Sequence, residues 1–194
     1  QYNPDVVALN GSTYVVVYER ADIGDIYGQV IDKWGQKLGS AVRLNQETYQ
    51  AQIDPRITLI EENTFMLMYR SYINGGYTIY SEVWKWNGTS LSRTRGKSST
   101  VVWNTYPDKQ VVTTLTDGTI VLAHQSGSHG VSGGSGWDII VTHYNSTQGR
   151  TKSSYIGNSN KSNTQQYPDI TALSDGGYAL VWKGNASGSY QVGY

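Results

Sequence analysis

The chain has 194 residues, zero formal net charge and no cysteine, and its 22 glycines, 16 tyrosines and 6 tryptophans stand beside a single phenylalanine. Neutral charge argues against a nucleic-acid partner, which would need a basic surface to neutralise phosphates. No stretch is long and apolar enough to span a bilayer as a helix, and the lack of cysteine leaves the redox compartment open.

In chain order, a first strand runs from Pro4 to Leu9, and the turn Asn10-Gly11-Ser12 leads into its hairpin partner Thr13-Tyr14-Val15-Val16-Val17-Tyr18. A third strand follows at Asp25-Ile26-Tyr27-Gly28-Gln29-Val30-Ile31, and a short fourth one ends in asparagine at Val42-Arg43-Leu44-Asn45. The series restarts with first strands at 55–59 and 168–173, hairpins at 60–69, 115–124 and 173–182, and third strands at 78–84 and 138–144. Further fourth strands end in asparagine at Asn104 and Asn158. The aligned positions Tyr14, Phe65, Ile120 and Tyr178 are 51, 55 and 58 residues apart. Four strands in such a period is the size of a propeller blade. The predicted fold is therefore all-β, a β-propeller-like array of four-stranded antiparallel blades within a single repeat domain. Blade 1 covers 1–49, blade 2 50–104, blade 3 105–163 and a partial blade 4 164–194.

The prolines lie just ahead of first strands, where a missing N–H is harmless. In the third copy, counting back from Leu115 puts Gln110 at the proline position, with Pro107 three residues early. The second strands are apolar at consecutive positions, which predicts that both of their faces are covered. The fourth copy stops inside its third strand, at Tyr190-Gln191-Val192-Gly193-Tyr194. The unpaired edge expected there invites strand addition by another chain.

The string Tyr14-Val15-Val16-Val17-Tyr18-Glu19-Arg20, then Asp25-Ile26-Tyr27-Gly28-Gln29-Val30-Ile31-Asp32, then Gly35 to Gly39, resembles a widespread secreted repeat of bacterial, archaeal and protist surface proteins. The match is close in the first copy, good for the fourth hairpin and loose between them. Tyr27-Gly28-Gln29 becomes Tyr80-Ser81-Glu82 in copy two and has no counterpart in copy three. The resemblance implies a β-propeller in an extracellular or cell-surface protein and carries no catalytic residue. Five N-glycosylation sequons, at Asn10, Asn87, Asn145, Asn160 and Asn185, fall in predicted turns or loops and agree with secretion.

Candidate chemistry is sparse. His124 and His143 lie on neighbouring strands and His129 in the loop between them, which raises a metal site. His124, however, fills the slot of Tyr18, Tyr69 and Trp182, so packing explains it better, and no metal or cofactor is expected. Ser174-Asp175-Gly176-Gly177-Tyr178 resembles the Asp box of sialidases but lies between strands 1 and 2 rather than 3 and 4. The carboxylates Glu19, Asp22, Asp25, Glu61, Glu62 and Glu82 form no distinctive pair of the kind glycoside hydrolysis needs. The run Arg93-Thr94-Arg95-Gly96-Lys97 reads as a solvated connection. The loops between strands 2 and 3 differ most between copies. Tyr72, Asn74 and Trp137 are the residues there best suited to hold a sugar.

The expectation from sequence is a non-catalytic structural or adhesive repeat protein at a surface. It would self-associate through the edge Ser189, Tyr190, Gln191, Val192, Gly193 and Tyr194, as a filament or a closed oligomer. The alternatives are a carbohydrate-binding propeller lectin and a segment of a longer secreted repeat protein. A glycosidase is set aside.

Overall fold

The computed structural model of the protein describes residues 1–73, 75–99, 107–127, 136–145, 149–150, 155–157, 164–184 and 190–193. Every regular element among them is a strand. The first sheet is ordered β1(Tyr2–Ala8), β2(Thr13–Arg20), β3(Asp25–Asp32), β4(Lys37–Arg43). The second is β5(Gln52–Glu61), β6(Thr64–Ile73), β7(Gly76–Trp86), β8(Leu91–Ser99). The third places β9(Pro107–Thr114) beside β10(Ile120–Gly127) and then β11(Trp137–Asn145), which pairs with both β12(Gly149–Arg150) and β13(Tyr155–Ile156). The fourth is β14(Gln165–Ala172), β15(Tyr178–Gly184), β16(Tyr190–Gly193), and all pairings are antiparallel.

Gln1–Thr100 and Val101–Tyr194 form two compact units. The core of the first lies between its two sheets and includes Val15, Val17, Ile26, Leu44, Phe65, Leu67, Tyr69 and Trp84. In the second unit Val121, Ala123, Ile139 and Val141 pack against Leu180 and Trp182. The second strands do not all behave as their composition suggests. β6 and β10 are buried on both faces along most of their length, whereas β2 and β15 alternate. Val16 and Tyr18 are only half-buried and Val181 is exposed, so apolar residues there face partly open surface.

The hairpins between first and second strands close alike, with Leu9, Leu115 and Leu173 N–H donating to the carbonyls of Thr13, Thr119 and Gly177. An Asx turn caps each: Asn10 Oδ1 accepts from Ser12 and Thr13, Asp117 Oδ1 from Thr119, and Asp175 Oδ1 from Gly177. Asp32 and Asn87 cap the turns between strands 3 and 4 in the same way.

A second repeated device lies in the first strands. Each carries a bulge in which two residues face one on the partner: Asn3-Pro4 opposite Tyr18, Asp54-Pro55 opposite Tyr69, Lys109-Gln110 opposite His124, and Tyr167-Pro168 opposite Trp182. The leading residue of each pair has positive φ: 45° at Asn3, 58° at Asp54, 48° at Lys109 and 54° at Tyr167. Gln110 thus occupies the proline position of the third copy, as counting from Leu115 predicts, and His124 fills the aromatic slot.

The fourth-strand asparagine of the first sheet has a structural task. Asn45, 2% exposed, accepts from Ile26 N at 2.7 Å and donates to Asp25 Oδ1 at 2.7 Å and Gln52 Oε1 at 3.0 Å. It thereby joins the outer strand region of one sheet to the first strand of the next. Asn45→Ala leaves these buried partners unmatched and should lower the unfolding free energy by about 1–3 kcal/mol in urea titrations, with native circular dichroism retained. An unchanged urea midpoint would mean that water replaces the asparagine without cost.

Candidate functional site

The bulges gather charged side chains at the start of the first strands in the first unit. Asn3 Nδ2 donates to Glu19 Oε1 at 2.7 Å, and the same oxygen accepts the backbone N–H of Asp54 in the next sheet. Asp54 is 4% exposed and its carboxylate is held by Arg70 at 2.9 Å and by Arg56 at 3.7 Å. Asp5 sits one residue past its bulge. Its Oδ1 accepts from Val6 N and its Oδ2 from Ile57 N in the adjoining sheet, both at 2.9 Å.

These carboxyls are in unlike settings. Burial pushes the Asp5 carboxyl above its ordinary value, against the smaller opposing effects of its two backbone donors and the Arg56 charge. Asp54 has two guanidinium groups within ion-pair reach. Arg56 therefore acts electrostatically on both. Asp5 and Asp54 thus lie at one sheet-to-sheet seam in unlike surroundings.

From Asp54 a continuous path leads outward to open surface. Arg70 stacks over the Tyr77 ring at 4.9 Å, and Tyr77 packs edge-on against Tyr72 at 5.3 Å. Tyr72 is 41% exposed at the end of β6. Tyr49, 65% exposed, lies in the connection to β5, where Gln52 Nε2 donates to its carbonyl at 3.1 Å. A separate buried node has a bracing role. Glu82, whose side chain is fully buried, accepts from Tyr69 Oη at 2.7 Å, Gln46 N at 2.6 Å and Arg93 at 3.2 Å. Burial and the Glu82 charge push the Tyr69 phenol well up.

The sequence-predicted residues are dispersed. Tyr72 adjoins the carboxylate group through Tyr77 and Arg70, and Asn74 lies outside the described residues. Trp137 belongs to the second unit, paired with Gly127, its ring lying where a side chain at Gly127 would meet it at 3.9 Å. Asn10 is half-buried and gives its amide to Asn63 Oδ1 at 2.7 Å, Asn87 is exposed, and Asn145 is half-buried. Asn160 and Asn185 lie outside the described residues. On the presumed assembly edge, the backbone of Tyr190, Gln191, Val192 and Gly193 pairs with β15, and Ser189 and Tyr194 lie outside the described residues.

His124 and His143 are not register partners: His124 faces Ile140, and His143 faces Val121. His143 instead stacks on Tyr155 at 5.8 Å and leans on Tyr178 at 5.9 Å. Among the described residues no group of three or more histidines and carboxylates is placed to hold a metal. Among the described residues no helix is long and apolar enough to cross a membrane.

Asp5 and Asp54 were absent from the carboxylates weighed on sequence. The signal that points to them is the aspartate beside the first-strand prolines Pro4 and Pro55, which the bulge leaves half-buried at Asp5 and buried at Asp54.

No family model matches the chain, and no curated protein matches it. Its fold is nevertheless shared by solved enzymes. The α-L-arabinofuranosidase of Fusarium graminearum, solved with arabinobiose, superposes with a TM-score of 0.65 at 11% identity, over 99% of this chain and 64% of that one. The Penicillium chrysogenum α-L-arabinanase, also with arabinobiose, gives 0.62 at 12% identity over 99% and 61%. The endo-arabinase of Bacteroides thetaiotaomicron gives 0.61 at 11% identity over 98% and 72%. The chain thus spans roughly two thirds of these enzymes' length.

The fold is all-β and propeller-like, as the repeat predicts. The functional expectation is corrected. A non-catalytic structural or adhesive protein that assembles through its last blade does not accord with the glycoside hydrolases that share this fold. The bulges also bring Asp5 and Asp54, which were not among the carboxylates weighed on sequence, to the same sheet-to-sheet seam.

The Asp5 setting has a pH signature. Its folded pKa is raised, so its contribution to stability is full below its ordinary value of 3.8 and is lost as pH rises through the higher folded value. The stability of Asp5→Asn relative to the unsubstituted protein should therefore increase between about pH 3.5 and pH 7 in urea titrations. A relative stability that falls over this range would contradict the raised carboxyl.

Proposed function

We propose that the chain belongs to a glycan-acting propeller and works as a glycoside hydrolase, with arabinose-containing chains the substrate class to test first. The observation that carries this reading is the sheet-bridging pair Asp5 and Asp54, one carboxyl raised by burial and the other flanked by Arg70 and Arg56. The propeller-like fold shared with arabinan-cleaving enzymes supports the choice of substrate.

In this reading Asp5 delivers its proton to the departing glycosidic oxygen. The Asp54 carboxylate, ion-paired with Arg70 and Arg56, stabilises the positive charge that develops on the sugar ring; water adds to that carbon, and the proton it gives up returns to Asp5. Arg56 and Arg70 hold the Asp54 carboxylate in place. Tyr72, linked to Asp54 through Tyr77 and Arg70, offers an exposed ring face where a sugar could stack while its hydroxyls stay hydrated. An extracellular setting fits the five sequons and the resemblance to secreted repeats. Asn87 is the exposed sequon asparagine whose hairpin would best accept a glycan.

Incubation with arabinan and arabino-oligosaccharides, followed by reducing-end assay and chromatography of products, tests the proposal. Turnover is expected, and Asp5→Asn should lower it by roughly 10²–10⁴-fold with an unchanged circular dichroism spectrum, the usual contribution of a general acid. Absence of product from arabinan and from other neutral glycans would overturn the hydrolase reading. Turnover unaffected by Asp5→Asn would remove this residue from the reaction.

A further inference from the structure

The four bulges hold left-handed residues, none of them glycine, although the chain uses 22 glycines elsewhere. Positive φ crowds the Cβ of an ordinary residue, and glycine or asparagine relieves that crowding. Asn3 and Asp54 are the tolerated types. Lys109 and Tyr167 are not, and Asn3, Asp54 and Tyr167 also precede proline, which further disfavours their backbone.

The backbone role of the position is the same whatever the side chain. In the first unit the Asp54 N–H donates to Glu19, and in the second the Tyr167 N–H donates to Gln125 Oε1 at 2.8 Å. Gln125 is itself fixed by Asp108, which accepts from its Nε2 at 3.1 Å. Glycine would serve this bond equally well and with less strain. The retained side chain therefore answers to something outside the backbone, and at Tyr167 it is a ring 55% exposed to solvent. Strain kept at a defined, repeated position points to function.

We propose that Tyr167 is a sugar-stacking residue, held at an exposed angle by its left-handed bulge. The inference rests on the glycan-acting reading above and goes beyond it by assigning recognition to a residue outside the Asp5–Asp54 pair. A phenol ring presents an apolar face to the C–H side of a sugar at low entropic cost, and exposure without crowding is what stacking requires.

The test measures binding of arabinobiose, and of immobilised arabino-, galacto- and manno-oligosaccharides, to the unsubstituted chain, Tyr167→Asn and Tyr167→Phe, with melting temperatures in parallel. Tyr167→Asn keeps a residue suited to positive φ and removes the ring. It should weaken binding on the order of tenfold without lowering the melting temperature, and Tyr167→Phe should restore affinity. Unsubstituted chain that binds while Tyr167→Asn binds equally well would overturn this inference and leave the hydrolase reading standing. A lower melting temperature in Tyr167→Asn, regained in Tyr167→Phe, with unchanged affinity would assign the ring to packing and also overturn it. If the unsubstituted chain neither binds nor cleaves any of these glycans, both readings fall together.

Discussion

The bulge at the head of every first strand is the constraint on which the other features depend. A regular ladder would carry each first strand past its partner in strict alternation. Inserting one residue re-aims the chain, and the left-handed residue at that point turns its N–H away from its own sheet. Glu19 and Gln125 receive those N–H groups from the next sheet within their respective units. One side-chain oxygen per junction therefore matches a donor the bulge would otherwise leave exposed, and sets two sheets in register. The large residues opposite the bulges, Tyr69, His124 and Trp182, are buried there, whereas Tyr18 is half-open.

The same geometry supplies the chemistry. Carboxyl groups that a flat strand would leave in solvent become partly or fully enclosed at the seam. Asp5 is bound by backbone donors from two strands and Asp54 by two arginines. Their surroundings differ, desolvation for one and cationic neighbours for the other, and the proposed division into proton donor and charge stabiliser rests on that difference. Fold and candidate site thus have one origin, and a substitution that flattened the bulge would disturb both.

Much of the fold was legible because repetition multiplies a weak signal. Leu9, Leu115 and Leu173 before their Asx turns mark the hairpins, and Gln110 could be placed at the proline position by counting alone. The site was less legible. Asp5 and Asp54 stand on opposite sides of their prolines in sequence, so nothing in their spacing suggests a common site; the sheet-to-sheet bonds from Ile57 N–H to Asp5 and from Asp54 N–H to Glu19 place both at one seam. The sequons were readable, but Asn10 and Asn87 also serve as turn caps, a role that Asp32, Asp117 and Asp175 fill elsewhere, so those asparagines have a structural reason independent of glycans. Alternation of burial in β2 and β15 was hidden because valine and tyrosine occur there on the open face as well as the closed one.

The most direct test of the account is a crystal structure of the protein with arabinobiose or a short arabino-oligosaccharide. The account predicts sugar at the first-strand bulges of the first unit, with a glycosidic oxygen within hydrogen-bond distance of the Asp5 carboxyl and the ring facing Asp54. Sugar bound elsewhere, with Asp5 and Asp54 still enclosed by Ile57, Arg56 and Arg70 and out of its reach, would contradict it and reduce the carboxylates to structural ties.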